Sequence, residues 1–225
     1  MAKKKKQQPI FSPSVMLIAL FVLLCLALFG IQVPSVVQDL FGVSLAPTTI
    51  QKTSSSSPTS GKNPGPIEKG EATFTQNDLK IQKHGWIVYH ALDSLGRATS
   101  ADALLTKEMI NSGTTASKDI RPTGFISGLS PYYHSRGHLI GRQLGGSGDK
   151  PENLVTLYQN PVNTPYMTKY ENMVRQALET GETIRYRVTV RYQEDALLCQ
   201  ELQIEAKSVS QNGTLNFNIV ILNEI

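Results

Sequence analysis

The chain has 225 residues, 40 % of them hydrophobic and 18 % charged, which suits one ordinary domain with extensions and excludes two large ones. The formal charge of +4 does not describe a globally basic protein. Residues 1–70 hold seven lysines against Asp39 and Glu68, a net of +5, while residues 71–225 sum to −1, so any affinity for phosphates must come from local cations. The two cysteines, Cys25 in an apolar run and Cys199 in the globular part, exclude a disulfide framework inside the folded domain.

In chain order, residues 1–14 form a basic tail with Lys3 to Lys6. An apolar run follows, and Val15 to Ile31 at 1.5 Å per residue reaches roughly 26 Å, close to the hydrocarbon thickness of a bilayer. Four lysines precede the run and none follows directly, so the positive-inside rule puts the N-terminus in the cytoplasm and the remainder outside. The segment 15–33 therefore reads as a single transmembrane anchor. A cleaved signal peptide is the alternative, but Ala46 is followed by Pro47 and Cys25 is preceded by Leu24, both poor processing contexts. Residues 34–72 are a Ser/Thr/Pro/Gly-rich linker, of a composition that cannot offset chain entropy by burial.

The folded domain is expected over 73–225. Trp86 to Leu92 reads as a strand with a turn at Asp93 to Gly96. Thr164 to Glu179 carries Met167, Tyr170, Val174, Ala177 and Leu178 at helical spacing and closes at Gly181. Ile184, Tyr186, Val188, Val190 and Tyr192 alternate with polar residues as a half-buried strand. Arg185, Arg187 and Arg191 share its other face, either solvated or lining a phosphate groove. Leu198, Leu202 and Ile204 suggest a further strand, and Asn212-Gly213 a hairpin into Leu215, Phe217, Ile219 and Ile221. The fold class is α+β, an antiparallel sheet carrying a strand–loop–helix insert.

The chemistry concentrates between Tyr133 and Arg175. Phosphodiester hydrolysis needs a base for water, a cation for the pentacovalent phosphate and help for the leaving oxygen. This stretch supplies a histidine beside Arg and Gly, a Gly- and Asn-rich loop, and a helix bearing a carboxylate. A neutral imidazole accepts a proton near pH 7. On one continuous helix Asn163 and Glu171 would stand about 12 Å apart along the axis, which favours a water-mediated role for Glu171. Glu171 and Arg175 form an i,i+4 pair. His134 and His138 are also four apart, but Gly137 between them and the lack of a third ligand weigh against a zinc pair. His84, His90, Trp86 and Cys199 read as ordinary structural residues.

The ordered series SRGH, LIGRQLGG, PENLVTLYQN and NTPYMTKYENMV resembles the DNA/RNA non-specific endonuclease family, and within it the membrane-anchored DNA-entry nucleases. The resemblance implies a ββα-metal finger and a Mg²⁺-dependent nuclease (Mn²⁺ as an alternative) acting on DNA, and on RNA as a second substrate, with 5′-phosphate products. It assigns His138 as general base, Arg136 and Arg175 to the phosphate, Asn163 as the direct metal ligand and Glu171 to metal-bound water. Asn153 would brace the active-site loop, and Arg142 is a further substrate contact. Ser135 stands where the family motif has Asp. The rival readings are a membrane-tethered DNA receptor with little turnover, to which Ser135 leans, and an RNA-specific secreted ribonuclease. A role in DNA uptake is implied by the resemblance alone; scavenging or defence would use the same chemistry.

Overall fold

The computed structural model describes residues 63–225; the expected basic tail, the anchor at 15–33 and residues 34–62 of the linker lie outside the described residues. Among the described residues no helix is long and apolar enough to cross a membrane. The fold begins earlier than composition suggested. A two-residue strand, β1 (Ile67–Glu68), pairs with the last strand, and Asn63 Nδ2 donates to the carbonyls of Leu222 (2.9 Å) and Glu224 (2.7 Å). Ten residues expected in the linker are therefore held by the sheet, because edge pairing satisfies backbone groups that their side chains do not advertise.

The remaining strands are β2 (Trp86–Tyr89), β3 (Ser100–Leu105), β4 (His134–His138), β5 (Leu154–Tyr158), β6 (Ile184–Arg191), β7 (Glu201–Ser208) and β8 (Asn216–Leu222). Six form an antiparallel sheet in the order β1-β8-β7-β6-β3-β2, while β4 and β5 make a separate hairpin. Among the described residues one α-helix, α1 (Thr168–Glu179), packs on the large sheet. Its buried Tyr170, Val174, Ala177 and Leu178 recur at i, i+4, i+7 and i+8, one apolar stripe. They meet Ile184, Tyr186 and Val188 of β6, all fully buried in the same core. Gly181 ends α1 with φ +93°, donating to Leu178 O while Glu182 donates to Ala177 O, the paired bonds of a Schellman cap.

The arginine stripe divides: Arg191 is solvated as expected, whereas Arg185 and Arg187 lie in a covered layer on the opposite face of the sheet. Residues 72–78 cross it. The Arg185 guanidinium is buried between the rings of Phe74 (4.8 Å) and Trp86 (4.9 Å) and ion-paired to Asp102. Arg187 donates Nε to Asp102 at 3.0 Å and stacks on Phe74, and Glu205 accepts from the Thr73 amide and hydroxyl at 2.7 Å. His90 bonds Asp102 at 2.9 Å, so it belongs to the same network. Cys199 is buried just before β7, and burial pushes its thiol up to about 12, which makes it inert.

The expected helix start also shifts. Between β5 and α1 the chain winds through Gln159–Met167, but Asn160 (φ −129°, ψ 129°) and Thr164 (φ −136°, ψ 124°) are extended. Each precedes a proline, Pro161 or Pro165, whose ring excludes the helical conformation from the residue before it. Asn163 thus sits on a turn before α1 and does not share its axis.

Candidate active site

The hairpin, the loop between its strands, the proline-rich turn and α1 enclose a cavity of about 390 Å³. Five of the seven residues singled out from the sequence line it: His138, Arg142, Asn163, Glu171 and Arg175. Arg136 and Asn153 do not.

His138 closes β4. Its Nε2 lies 3.1 Å from the carbonyl oxygen of Thr114, which can only accept, so Nε2 carries the proton and Nδ1 keeps the free lone pair. That carbonyl is itself held: the Thr114 amide donates to Gly146 O (3.1 Å) and the Thr114 hydroxyl to Asp149 (2.9 Å). Burial lowers the His138 pKa from 6.5, the Arg142 charge adds to this, and the Thr114 bond opposes it. The ring is therefore neutral at pH 7, as a base must be.

Glu171, in the first turn of α1, is half-buried, and its Oε2 accepts one long bond (3.3 Å) from Gln143 Nε2. Burial pushes its carboxyl up to about 7, against the lowering effect of that bond. The close approach of the hairpin loop depends on Gly141: a Cβ there would stand 2.5 Å from Glu171 Oε1. Asn163 donates Nδ2 to Gln159 Oε1 at 3.1 Å, leaving Oδ1 for the cavity. Arg175 does not pair with Glu171. Its Nε bonds Glu179 (2.8 Å) and one Nη bonds Asn111 Oδ1 (2.8 Å), so it is aimed by partners on both sides.

Asn153 is fully buried behind the cavity. Its Oδ1 accepts from Ile140 N (2.9 Å), and its Nδ2 donates to Ile140 O (3.1 Å) and Ser147 O (2.9 Å). One side chain thereby fixes both ends of the loop that carries Gly141 and Arg142. Arg136 shares the face of β4 with His138, but its Nε and one Nη donate to the carbonyls of Ile120 (2.7 Å) and Lys118 (3.3 Å). Its guanidinium also lies 4.3 Å from the centre of the Phe125 ring. Ser135 has the opposite parity in β4 and bonds Leu157 O at 3.3 Å, away from the cavity.

Sequence reasoning missed Gln143 and Asn111. Gln143 falls in a run of loop residues, and Asn111 lies 64 positions from the arginine it holds. A left-handed Asn111 (φ +59°) followed by Ser-Gly advertised a turn, not a partner.

Oxygen donors dominate what could hold a metal: the Asn163 amide oxygen and the Glu171 carboxylate. They fit a hard divalent cation, since a cation beside Glu171 would restore the charged form that burial disfavours. A zinc pair from His134 and His138 does not fit. Both lie on a strand, roughly 13 Å apart by rise, and His134 Nδ1 accepts from the Ile126 amide at 3.2 Å. Among the described residues no three His, Cys, Asp or Glu cluster as ligands.

Comparison with known proteins agrees with this arrangement. The model of the DNA/RNA non-specific endonuclease family matches residues 77–210. NucA from Streptococcus agalactiae with magnesium bound superposes with a TM-score of 0.60 at 24 % identity, over 72 % of this chain and 82 % of that one. The metal-free form of that nuclease gives 0.54 at 27 % identity, over 67 % and 76 %. Sda1 nuclease with zinc bound gives 0.58 at 19 % identity, over 71 % and 90 %. The family match spans more than half the chain and falls on the cavity residues, so the chain belongs to the DNA/RNA non-specific endonuclease family and is a nuclease, a phosphodiester hydrolase.

Proposed function

We propose that the chain hydrolyses phosphodiester bonds of DNA, and of RNA as a second substrate, without sequence preference, using His138 as general base and one Mg²⁺ or Mn²⁺. The carrying observation is the His138–Thr114 bond, which leaves Nδ1 unprotonated on a ring that lines the same cavity as Asn163 and Glu171. His138 takes the proton from water at Nδ1 while Thr114 keeps the ring in that tautomer. Asn163 and Glu171 are the residues that would hold a divalent cation and its water in the cavity. When bound, the metal neutralises charge on the phosphate and the leaving oxygen. Arg142 and Arg175 add fixed positive charge at the cavity wall. Arg136 positions the 118–125 segment and offers its remaining nitrogen to a phosphate. Asn153 braces the loop.

The N-terminal part extends the reading. Residues 15–33 span a membrane once, with the tail 1–14 in the cytoplasm, a linker before Asn63 and the nuclease domain outside. There it meets extracellular DNA, for uptake or degradation. Protease added to intact cells removes the domain; its protection there overturns this orientation.

Plasmid degradation by the full-length chain with Mg²⁺, its loss in EDTA, and its loss in His138→Ala with binding retained test the chemistry. Full activity of His138→Ala overturns the assigned base. The receptor reading rested on Ser135, and a hydroxyl tied to Leu157 away from the cavity lends it no support.

A further inference from the structure

One surface remains outside the cavity and unexplained. The loop 125–133 leads into β4 and exposes large apolar and aromatic side chains: Leu129 is 76 % exposed, Tyr133 48 %, Tyr132 44 % and Ile126 43 %. Contiguous exposure of this kind marks a binding surface more often than chance. The loop is also held in shape. The Tyr132 ring packs on His134 (5.6 Å between centres), and His134 contacts Tyr158 edge-on (5.3 Å) and accepts the Ile126 amide. Tyr133 adopts φ +48°, costly for a residue with a Cβ, and is fixed there by bonds from its amide to Leu129 O (2.7 Å) and to its carbonyl from the Gln159 amide (2.8 Å). Such a conformation persists only where its surroundings impose it.

Its position relative to the cavity names the partner. His138, Arg136 and His134 share one face of β4, so cavity, cation and aromatic cluster follow one another over roughly 13 Å. Between Thr114 and Arg142 there are four Lys/Arg (Lys118, Arg121, Arg136, Arg142) against one carboxylate, Asp119, in a domain that is otherwise net acidic. A cation-rich segment beside exposed rings suits a polyanion carrying flat, apolar bases.

Resting on the nuclease reading above, we propose that the loop 125–133 is a stacking platform for unpaired bases of the substrate strand, a nucleotide or two from the bond held at His138. Stacking needs a base free of its complement. The platform therefore favours single-stranded or locally opened substrate and tolerates any sequence, since every base has a ring face.

The test uses the full-length chain with Tyr132→Ala/Tyr133→Ala and, as a control that keeps the rings, Tyr132→Phe/Tyr133→Phe. The alanine variant is expected to raise KM for a single-stranded oligonucleotide about tenfold at unchanged kcat, in line with the stacking contribution of one base. The phenylalanine variant keeps the original KM, and an abasic oligonucleotide is bound equally by all three proteins. Fluorescence of a 2-aminopurine oligonucleotide, titrated with His138→Ala protein in EDTA, reads stacking without turnover; the alanine pair should abolish its quenching. If the chain shows no nuclease activity, the quenching alone decides, which separates failure of this inference from failure of the proposed function. Unchanged quenching, or an unchanged KM, overturns the platform.

Discussion

The imidazole of His138 is oriented by a backbone oxygen: its Nε2 stands 3.1 Å from the carbonyl of Thr114, and no carboxylate takes that place. A carbonyl fixes the tautomer without adding the negative charge that would raise the pKa, and burial lowers that pKa below 6.5. At saturating Mg²⁺, which would hold Glu171 in its charged form, the acid limb of kcat/KM is therefore expected on the acid side of free imidazole, with activity retained from neutrality down to below pH 6.5. The sign for stability runs the same way. A histidine whose folded pKa is depressed contributes fully above 6.5, and stability falls as pH drops from there toward the folded value. His138→Ala removes the limb and lowers kcat by about 10²–10⁴-fold, the usual worth of a positioned base. A pH–rate profile with a limb above 6.5 would assign the titration to another group.

Gly141 should be as sensitive as a catalytic residue although it carries no chemistry. In Gly141→Ala the new methyl meets Glu171 Oε1 at 2.5 Å, so either the loop or the carboxylate must move. Metal affinity is expected to fall about 10–100-fold, the range for disturbed supporting groups. Titration of activity with Mg²⁺ reads this directly; a wild-type midpoint would show that Glu171 plays no part near the cation.

Asn153→Ala should cost more stability than its loop position suggests. It leaves the Ile140 amide, the Ile140 carbonyl and the Ser147 carbonyl without their partner, and an unsatisfied buried group costs about 1–3 kcal/mol. Thermal unfolding should shift down by several degrees, and activity should fall with it because Arg142 and Gly141 lose their support. A variant as stable as the parent would mean that the loop re-pairs its own backbone.

The charged layer on the far face of the sheet allows a sharper contrast. Asp102→Ala removes the carboxylate that Arg185 and Arg187 share, leaving the buried Arg185 only the carbonyls of Ala103 and Tyr186, and should destabilise by about 3–5 kcal/mol. Replacing Arg185 and Asp102 together by Met and Leu should cost far less, because well-packed apolar groups substitute for a buried pair. Denaturant unfolding of the two variants checks this, and equal losses would refute the contrast.

The same layer shows why part of the molecule was illegible in sequence. Alternation in β6 revealed a strand but not what covers its second face, and residues 72–78, which bury Arg185, carry no pattern of their own. The spacing of His138, Asn163, Glu171 and Arg175 was legible, and all four do line one cavity. Their geometry was not: Thr164, extended before Pro165, interrupts the expected helix at its start, so Asn163 arrives on a turn. Gln143 and Asn111 act through partners distant in sequence. Thr114 acts through its carbonyl, which any residue type could supply and which therefore leaves no side-chain signature.

Asn63 grips the chain's own last residues, and β1 zips onto β8 at one margin of the sheet. Mechanical load arriving from the N-terminal side would fall first on this short clasp. Peeling it open slackens two residue pairs beside Asn223, which accepts from the Tyr158 amide and donates to the Thr156 carbonyl, so the clasp also guards the seam between β8 and the His138 hairpin.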